Sequence, residues 1–137
     1  MQSCSKNNSM KEKNLQILFG HWLKNNFKSS AAFELKICKT DRFNLKCIAP
    51  HQISNLRLAN DGLFFYKLPD LGLQNPFDCF TLHCVEAHVV LFFYKPRRPK
   101  MFYMIPVVTI KGLIEYGKKS ITEEDAKKLA YKIGELK

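Results

Sequence analysis

Apolar residues recur along this chain with two periods, one typical of helices and the other typical of strands. Between Ser9 and Lys28 the period is helical, and the Ser-x-x-Glu pattern from Ser9 to Glu12 predicts a capping box that opens the helix. The apolar side of this helix consists of Leu15, Leu18, Phe19, Trp22, Leu23 and Phe27. Residues 1–8 are polar, and we expect them to be disordered.

The next run, residues 32–38, alternates in the manner of a strand and contains an acid and a base two positions apart. Side chains of a strand alternate between faces at about 3.3 Å per residue, so Glu34 and Lys36 would share one face roughly 6 to 7 Å apart. Phe33, Leu35 and Ile37 would face the core on the other side. For this pattern alone, a solvent-facing ion pair is the commoner interpretation.

Further elements follow in an order that suggests a mixed sheet. Pro50 suits the first turn of a helix over residues 51–59 that ends near Gly62, and residues 63–68 form an apolar run typical of a strand. Strand, helix and strand in this order predict a crossover unit whose first strand carries Glu34. The sequence therefore predicts an α/β or α+β domain with a central mixed sheet flanked by helices.

The second half of the chain contains further strand patterns and one clear helix start. Residues 77–82 would form a strand carrying Asp78 on a largely apolar face, paired as a hairpin with an apolar strand over residues 87–94. Another strand is predicted for residues 101–107. Thr122 followed by three acidic residues predicts a final helix, whose apolar positions are Ala126, Leu129, Ala130, Ile133 and Leu136.

Composition and charge narrow the function classes. The 137 residues suit one domain, and 22 Lys and Arg against 12 Asp and Glu give a net charge of +10, which favours a polyanionic partner. No apolar run has the length of about 20 residues that a membrane span needs, so no membrane partner is expected. The five cysteines lack C-x-x-C spacing, which disfavours zinc at Cys79, His83 and Cys84 and favours a cytoplasmic setting.

Several short motifs follow one another in the first half of the chain. Phe33-Glu34-Leu35-Lys36 is followed by a basic connection and then by His51-Gln52, which opens a helix with Leu56 beneath it. Gly62 and an apolar strand come next. This succession resembles the core of RecU-type Holliday-junction resolvases, members of the PD-(D/E)xK nuclease superfamily. The resemblance covers residues 30–68 and implies a single restriction-endonuclease-like domain over residues 1–137. It also implies an endonuclease of DNA recombination and repair that acts on Holliday junctions or other branched DNA, working as a homodimer.

The chain departs from the superfamily at one position. The superfamily has an Asp on the strand before the E-x-K strand, whereas this chain has no Asp before Asp41. Asn75-Pro76-Phe77-Asp78 is similar to the Asp strand but comes later, which implies a rearranged order with the Asp78 strand beside the Glu34 strand. A rival alignment takes Phe93-Tyr94-Lys95 as a degraded E-x-K and predicts a fold that binds DNA without cutting it.

The resemblance implies roles for particular residues. Asp78, Glu34 and the backbone carbonyl of Leu35 would hold Mg²⁺ or Mn²⁺, and Lys36 would contact the attacking water or the phosphate. Gln52 would orient that water or touch phosphate, His51 could transfer a proton, and Glu12 or Gln16 could add a ligand. The cations expected to contact nucleic acid are Lys39, Arg42, Lys46, Lys95, Arg97, Arg98 and Lys100.

Two other classes of function remain open. A non-catalytic basic nucleic-acid-binding module with a degenerate nuclease fold would use the cations on phosphates and exposed aromatic rings on bases. A small assembly protein would dock a partner on its apolar strands and show no metal dependence. The binding module explains the charge but leaves Glu34 and Asp78 without a role.

Overall fold

The computed structural model of the protein describes residues 9–70 and 74–136, so the prediction for residues 1–8 falls outside it. The helices are α1 (Ser9–Asn26), α2 (Pro50–Asp61), α3 (Val107–Glu115) and α4 (Glu123–Leu129). The strands are β1 (Ala31–Cys38), β2 (Arg42–Asn44), β3 (Leu63–Lys67), β4 (Cys79–His83), β5 (Glu86–Phe93), β6 (Lys100–Pro106), β7 (Ser120–Thr122) and β8 (Lys132–Leu136). None of the helices in these ranges is long and apolar enough to cross a membrane.

Four strands form a mixed central sheet in the order β1-β5-β6-β8. β1 runs parallel to β5 with Glu34 opposite Val89, whereas the β5–β6 and β6–β8 pairs are antiparallel. The expected mixed sheet flanked by helices is therefore confirmed. β1, which carries Glu34 and Lys36, is an edge strand, so one of its sides has no strand partner within the sheet.

Each face of the sheet is covered by its own apolar layer. On one face, α1 packs Leu15 and Phe19 against residues such as Ile37, Val90 and Phe102. The opposite layer joins α2, α3 and α4 to the sheet through Leu56, Ile110 and Ala126, among others. β5 lies between them and is buried from Ala87 to Phe93, as predicted for a strand with both faces covered.

The strand pairing in the middle of the chain differs from the prediction. β3 was expected to complete the crossover and β4 to pair with β5, but β3 and β4 instead pair with each other, Phe65 opposite Thr81, as a separate ribbon. The parallel partner of β1 is β5, so the crossover runs through α2 and the inserted ribbon. The prediction was wrong because the alternation of apolar and polar residues indicates which segments form strands, but it does not indicate which strands pair with each other.

The C-terminal region also differs from the prediction. The Thr122 cap is confirmed, since its Oγ1 accepts the Asp125 N–H at 3.1 Å, but the helix ends at Leu129 instead of Leu136. Tyr131 donates its backbone N–H to Met104 at 2.7 Å, and β8 then completes the sheet beside β6. Val107 was predicted to lie in a strand, but it begins α3 directly after Pro106. Proline fits at the start of a helix, because the backbone N–H that it lacks would have no partner within the helix.

Candidate active site at the edge of the sheet

Glu34, Lys36 and Gln52 come together where β1 meets the start of α2. The Glu34 Oε1 atom accepts a hydrogen bond from Gln52 Nε2 at 2.8 Å and lies 3.5 Å from Lys36 Nζ. Among the residues that the structure describes, the second oxygen of Glu34 accepts no hydrogen bond. The Glu34 side chain is only 27% exposed and the Lys36 side chain only 18%, so water screens their charges less than it screens a surface pair.

Gln52 holds Glu34 in place because both ends of its amide are engaged. Ala49 precedes α2 in extended conformation and has no polar side chain to cap the helix, so its backbone N–H donates to Gln52 Oε1 at 2.9 Å. The opposite end of the amide donates to Glu34. These two contacts explain why a glutamine at the third helical position orients the carboxylate, and the predicted contact with water or phosphate stays a prediction.

Glu12 of α1 approaches the same site from the other side of the edge strand. Burial raises the pKa of Glu12, the positive charge of Lys36 lowers it, and the negative charge of Glu34 raises it again. Glu12 therefore lies within electrostatic range of both residues. Capping was the role predicted for Glu12, with a ligand role as the alternative, and its nearness to Glu34 and Lys36 depends on the path of α1 across the sheet.

Asp78 lies one residue before β4 and is exposed. β4 does not pair with β1, but its residues Phe80 and Leu82 line a cavity of about 520 Å³ that also contains Glu34 and Gln52. We call this space the ribbon cavity; it lies between β1, α2 and the β3–β4 ribbon. Asp78 comes directly before β4, the strand whose Phe80 and Leu82 line this cavity, and its proximity to Glu34 stays a prediction. His51 lines the cavity and is exposed.

The donors at this edge suit a hard cation. Within the described ranges, no three His, Cys, Asp or Glu side chains lie close enough to hold a metal ion, which leaves zinc at Cys79, His83 and Cys84 without support. Mg²⁺ needs less from a protein, because it is commonly bound by one or two carboxylates together with water and substrate phosphates. Glu34, with a second oxygen that accepts no hydrogen bond, and Glu12 nearby match that requirement.

The connection from β5 to β6 and the first residue of β6, together called the basic turn, carry Lys95, Arg97, Arg98 and Lys100, and some of these cations are engaged with carboxylates. Lys95 Nζ lies 2.6 Å from Asp41 Oδ1 and holds the pKa of that carboxyl below its usual value, while Arg98 lies 3.2 Å from Glu123. Arg97 and Lys100 form no ion pair with any described residue. Of the four cations predicted here to contact phosphates, two therefore already have acidic partners.

Lysines also surround a second cavity, of about 620 Å³, on the other side of the first turn of α2. Lys46 was predicted from the sequence, whereas Lys111, Lys118 and Lys119 were not. Lys111 lies 3.7 Å from Glu115 and Lys118 lies 3.9 Å from Asp125. These lysines are dispersed in the sequence, so only the fold brings them together around one cavity. Arg42 is elsewhere, with its guanidinium donating to Ser120 Oγ at 3.2 Å.

Comparison with known proteins adds no family to this description. The chain matches no protein-family model, no curated protein and no solved structure. The function must therefore be inferred from the site itself.

Proposed function

We propose that this chain is a Mg²⁺-dependent endonuclease that hydrolyses phosphodiester bonds in DNA. The observation that carries this proposal is the state of Glu34. Gln52 and Lys36 hold one of its oxygens, and no described residue forms a hydrogen bond with the other. This carboxylate lines a cavity, and the chain that carries it is strongly basic. A restriction-endonuclease-like domain, a preference for Holliday junctions or branched DNA and a homodimer are part of the proposal through the resemblance alone, and a cytoplasmic location is part of it through the cysteines.

In this mechanism the carboxylates of Glu34 and Glu12 would hold the cation, with Asp78 and the Leu35 carbonyl as further candidates. When bound, Mg²⁺ supplies Lewis acidity toward the phosphate and lowers the pKa of a coordinated water. The Lys36 ammonium lies beside Glu34 and would donate to phosphate oxygens as negative charge develops on them. A cation fixed in advance in a largely dehydrated place is most effective at that moment.

Gln52 acts through Glu34 and is a positioning residue. Its amide is anchored on the Ala49 N–H, so the carboxylate that it holds keeps one orientation while substrate binds. Fixed ligands avoid the cost of reorganising the site during the reaction. His51, exposed in the first turn of the same helix, lines the cavity and stays a candidate for proton transfer there.

A second candidate function is a basic module that binds nucleic acid without cutting it. The observation that favours this alternative is the lack of a third ligating side chain within the described ranges. If Asp78 does not reach Glu34, two carboxylates alone would have to hold the cation. This alternative retains the net charge of +10 as its binding device.

The test is a cleavage assay with labelled four-way junction, duplex and single-stranded DNA, each in Mg²⁺ and in EDTA. We expect the wild-type protein to cut only with Mg²⁺, and Asp78→Asn to show whether Asp78 contributes. Asp70→Asn is the matched control, because Asp70 is also exposed beside the ribbon. Loss in Asp78→Asn alone adds Asp78 to the site, whereas cutting at the wild-type rate by both variants excludes it. DNA binding without any cutting in Mg²⁺ or Mn²⁺ supports the non-catalytic module.

A further inference from the structure

The ribbon cavity is a feature that the proposed hydrolysis does not explain. A pair of charged residues on an edge strand can act on a phosphate without an apolar space behind it. Here a cavity of about 520 Å³ opens beside Glu34, within the range of about 300 to 1,000 Å³ typical of small-molecule sites. Its size and position suggest that a part of the substrate other than the phosphate enters it.

One wall of the cavity is aromatic and is supported by further rings. Phe64 and Phe80 line it from the ribbon, and Leu82 lies beside them. The Tyr66 ring packs 6.2 Å from Phe64 and 5.7 Å from Phe80, measured between ring centroids. Such contacts hold the rings in position. Phe64 and Phe80 are tilted by 53° to each other, so the wall offers single aromatic rings, on one of which another planar group can stack.

The lining that α2 contributes is apolar where it is buried and polar where it is exposed. Leu56 and Ala59 of α2 are buried, whereas His51 and Asn55 are exposed and Gln52 is half-buried. Neither the Asn55 amide nor the His51 ring forms a hydrogen bond with a described residue. Apolar walls with a few hydrogen-bonding groups are what a nucleobase needs, because its faces stack and its edges carry donors and acceptors.

We propose that the ribbon cavity receives an unpaired base of the DNA strand whose phosphate lies at Glu34 and Lys36. This inference rests on the proposed function. The net charge of +10 favours DNA over an uncharged apolar ligand, and Lys36 next to Glu34 places a cation where the phosphate of that nucleotide would lie. The aromatic wall favours a single base over a base pair, whose faces are already stacked.

The cavity also supplies a physical reason for a preference for branched DNA. Taking a base out of a paired duplex costs a few kcal/mol of lost stacking and pairing, and the cost is smallest where the base is already unpaired. Junctions, bulges and single strands would therefore bind more tightly than a perfect duplex. In this account the preference arises from base capture and needs no recognition of sequence.

The test compares a duplex containing a single 2-aminopurine bulge with a fully paired duplex of equal length, both in EDTA. Binding is followed by fluorescence anisotropy and capture of the base by 2-aminopurine emission. Stacking of one base on an aromatic side chain changes affinity by about fivefold to a hundredfold, so we expect the wild-type protein to prefer the bulge by at least about fivefold. Phe80→Ala should remove this preference, and Phe65→Ala, on the outer face of the ribbon and 60% exposed, should keep it.

Phe80→Leu serves as a second variant, because it keeps apolar volume while removing the ring and therefore tests stacking if Phe80→Ala fails to fold. Equal binding of both duplexes by the wild-type protein, or no binding of either, would overturn the inference. The same holds if Phe65→Ala loses the preference as fully as the Phe80 variants. The readout is independent of cleavage: preference without cutting in Mg²⁺ keeps the cavity assignment and refutes the nuclease, whereas cutting without preference refutes only the cavity assignment.

Discussion

Glu34 and Glu123 are both acids beside a cation, yet their carboxylates differ in what surrounds them. Glu123 uses both oxygens, one with Arg98 at 3.2 Å and the other accepting the Tyr103 hydroxyl at 2.5 Å. Glu34 uses one oxygen for both Gln52 and Lys36, and no described residue bonds the other. Burial does not separate the two, since their side chains are 27% and 18% exposed, respectively.

The difference shows how to separate a structural acid–base pair from a chemical one. A carboxylate with both oxygens already held by protein donors stabilises the fold, and a ligand must share an oxygen with one of those donors or displace it. A carboxylate with one fixed and one available oxygen beside a cavity can accept a cation without first breaking protein contacts. The comparison therefore predicts opposite effects of substitutions at the two pairs.

The largest effect is expected at Lys36. Lys36→Met should lower the rate of DNA cutting by about 10²- to 10³-fold, because a charge that stabilises the transition state is lost. Its free energy of unfolding should change by less than about 1 kcal/mol, since methionine keeps the apolar part of the lysine side chain and Glu34 keeps its hydrogen bond with Gln52. Lys127→Met is the matched control, since Lys127 pairs with Glu124 at 3.0 Å on α4 and should leave cutting unchanged. Equal rates for the two variants would contradict the assignment of Lys36.

Gln52→Leu should have the next largest effect. Removing a group that orients a metal ligand typically costs about 10- to 100-fold in metal affinity or activity. Because Gln52 acts through Glu34, the loss should appear as a higher Mg²⁺ requirement, and raising the Mg²⁺ concentration should restore part of the rate. A rate that stays low at every Mg²⁺ concentration would show that Gln52 does more than hold Glu34.

Tyr103→Phe tests the structural role of Glu123, whose second oxygen accepts the Tyr103 hydroxyl. Burial and the contact with Glu123 raise the pKa of the Tyr103 hydroxyl, so it remains a donor across the ordinary pH range. Its removal leaves a mostly buried carboxylate oxygen without a partner, which should cost about 1 to 3 kcal/mol in the free energy of unfolding, measured by urea denaturation. DNA cutting at a temperature where the variant is folded should be unchanged.

A third acid–base pair, Glu86 and His88, gives the smallest effect. His88 is 5% exposed, lies 3.9 Å from Glu86 between the rings of Phe33 and Tyr131, and neither of its ring nitrogens bonds a described residue. Burial lowers the pKa of His88 from its ordinary value of 6.5, and the charge of Glu86 partly opposes this. The unfolded chain therefore binds a proton first, so this contribution to stability is complete above pH 6.5 and is lost as the pH falls below it.

His88→Phe keeps a ring between Phe33 and Tyr131 while removing the titrating group. Thermal melts between pH 7.5 and pH 5 should therefore show a shallower loss of stability on acidification in this variant than in the wild-type protein, at pH values chosen on either side of about 6.5. Identical slopes would show that His88 does not carry the pH dependence.

Elements whose signal lies in their own residues could be predicted from the sequence. The alternation of β1 placed Glu34 and Lys36 on one face, Pro50 and Gly62 bracketed α2, and Thr122 marked the start of α4. In each case the signal is local, either side-chain alternation or a backbone group that needs a partner.

Features that depend on distant partners could not be predicted. Ile133 and Leu136 fit a helical period after Ala126 equally well, and only pairing with β6 makes this segment a strand. The same limit applies to the site: Lys36 and Gln52 follow from local patterns, but the approach of Glu12 depends on the path of α1. The cations of the basic turn were visible, whereas their partners Asp41 and Glu123 were not.

The most direct test of the Glu34 assignment compares Glu34→Gln with Glu123→Gln in one assay of Mg²⁺-dependent DNA cutting. Both variants replace one carboxylate by an amide of the same size. We expect Glu34→Gln to lower the rate by at least about a hundredfold, since the stabilisation supplied by a metal site is several kcal/mol, while remaining as stable as the wild-type protein. Glu123→Gln should be less stable and cut at the wild-type rate. Undiminished cutting by folded Glu34→Gln would contradict the assignment of this site.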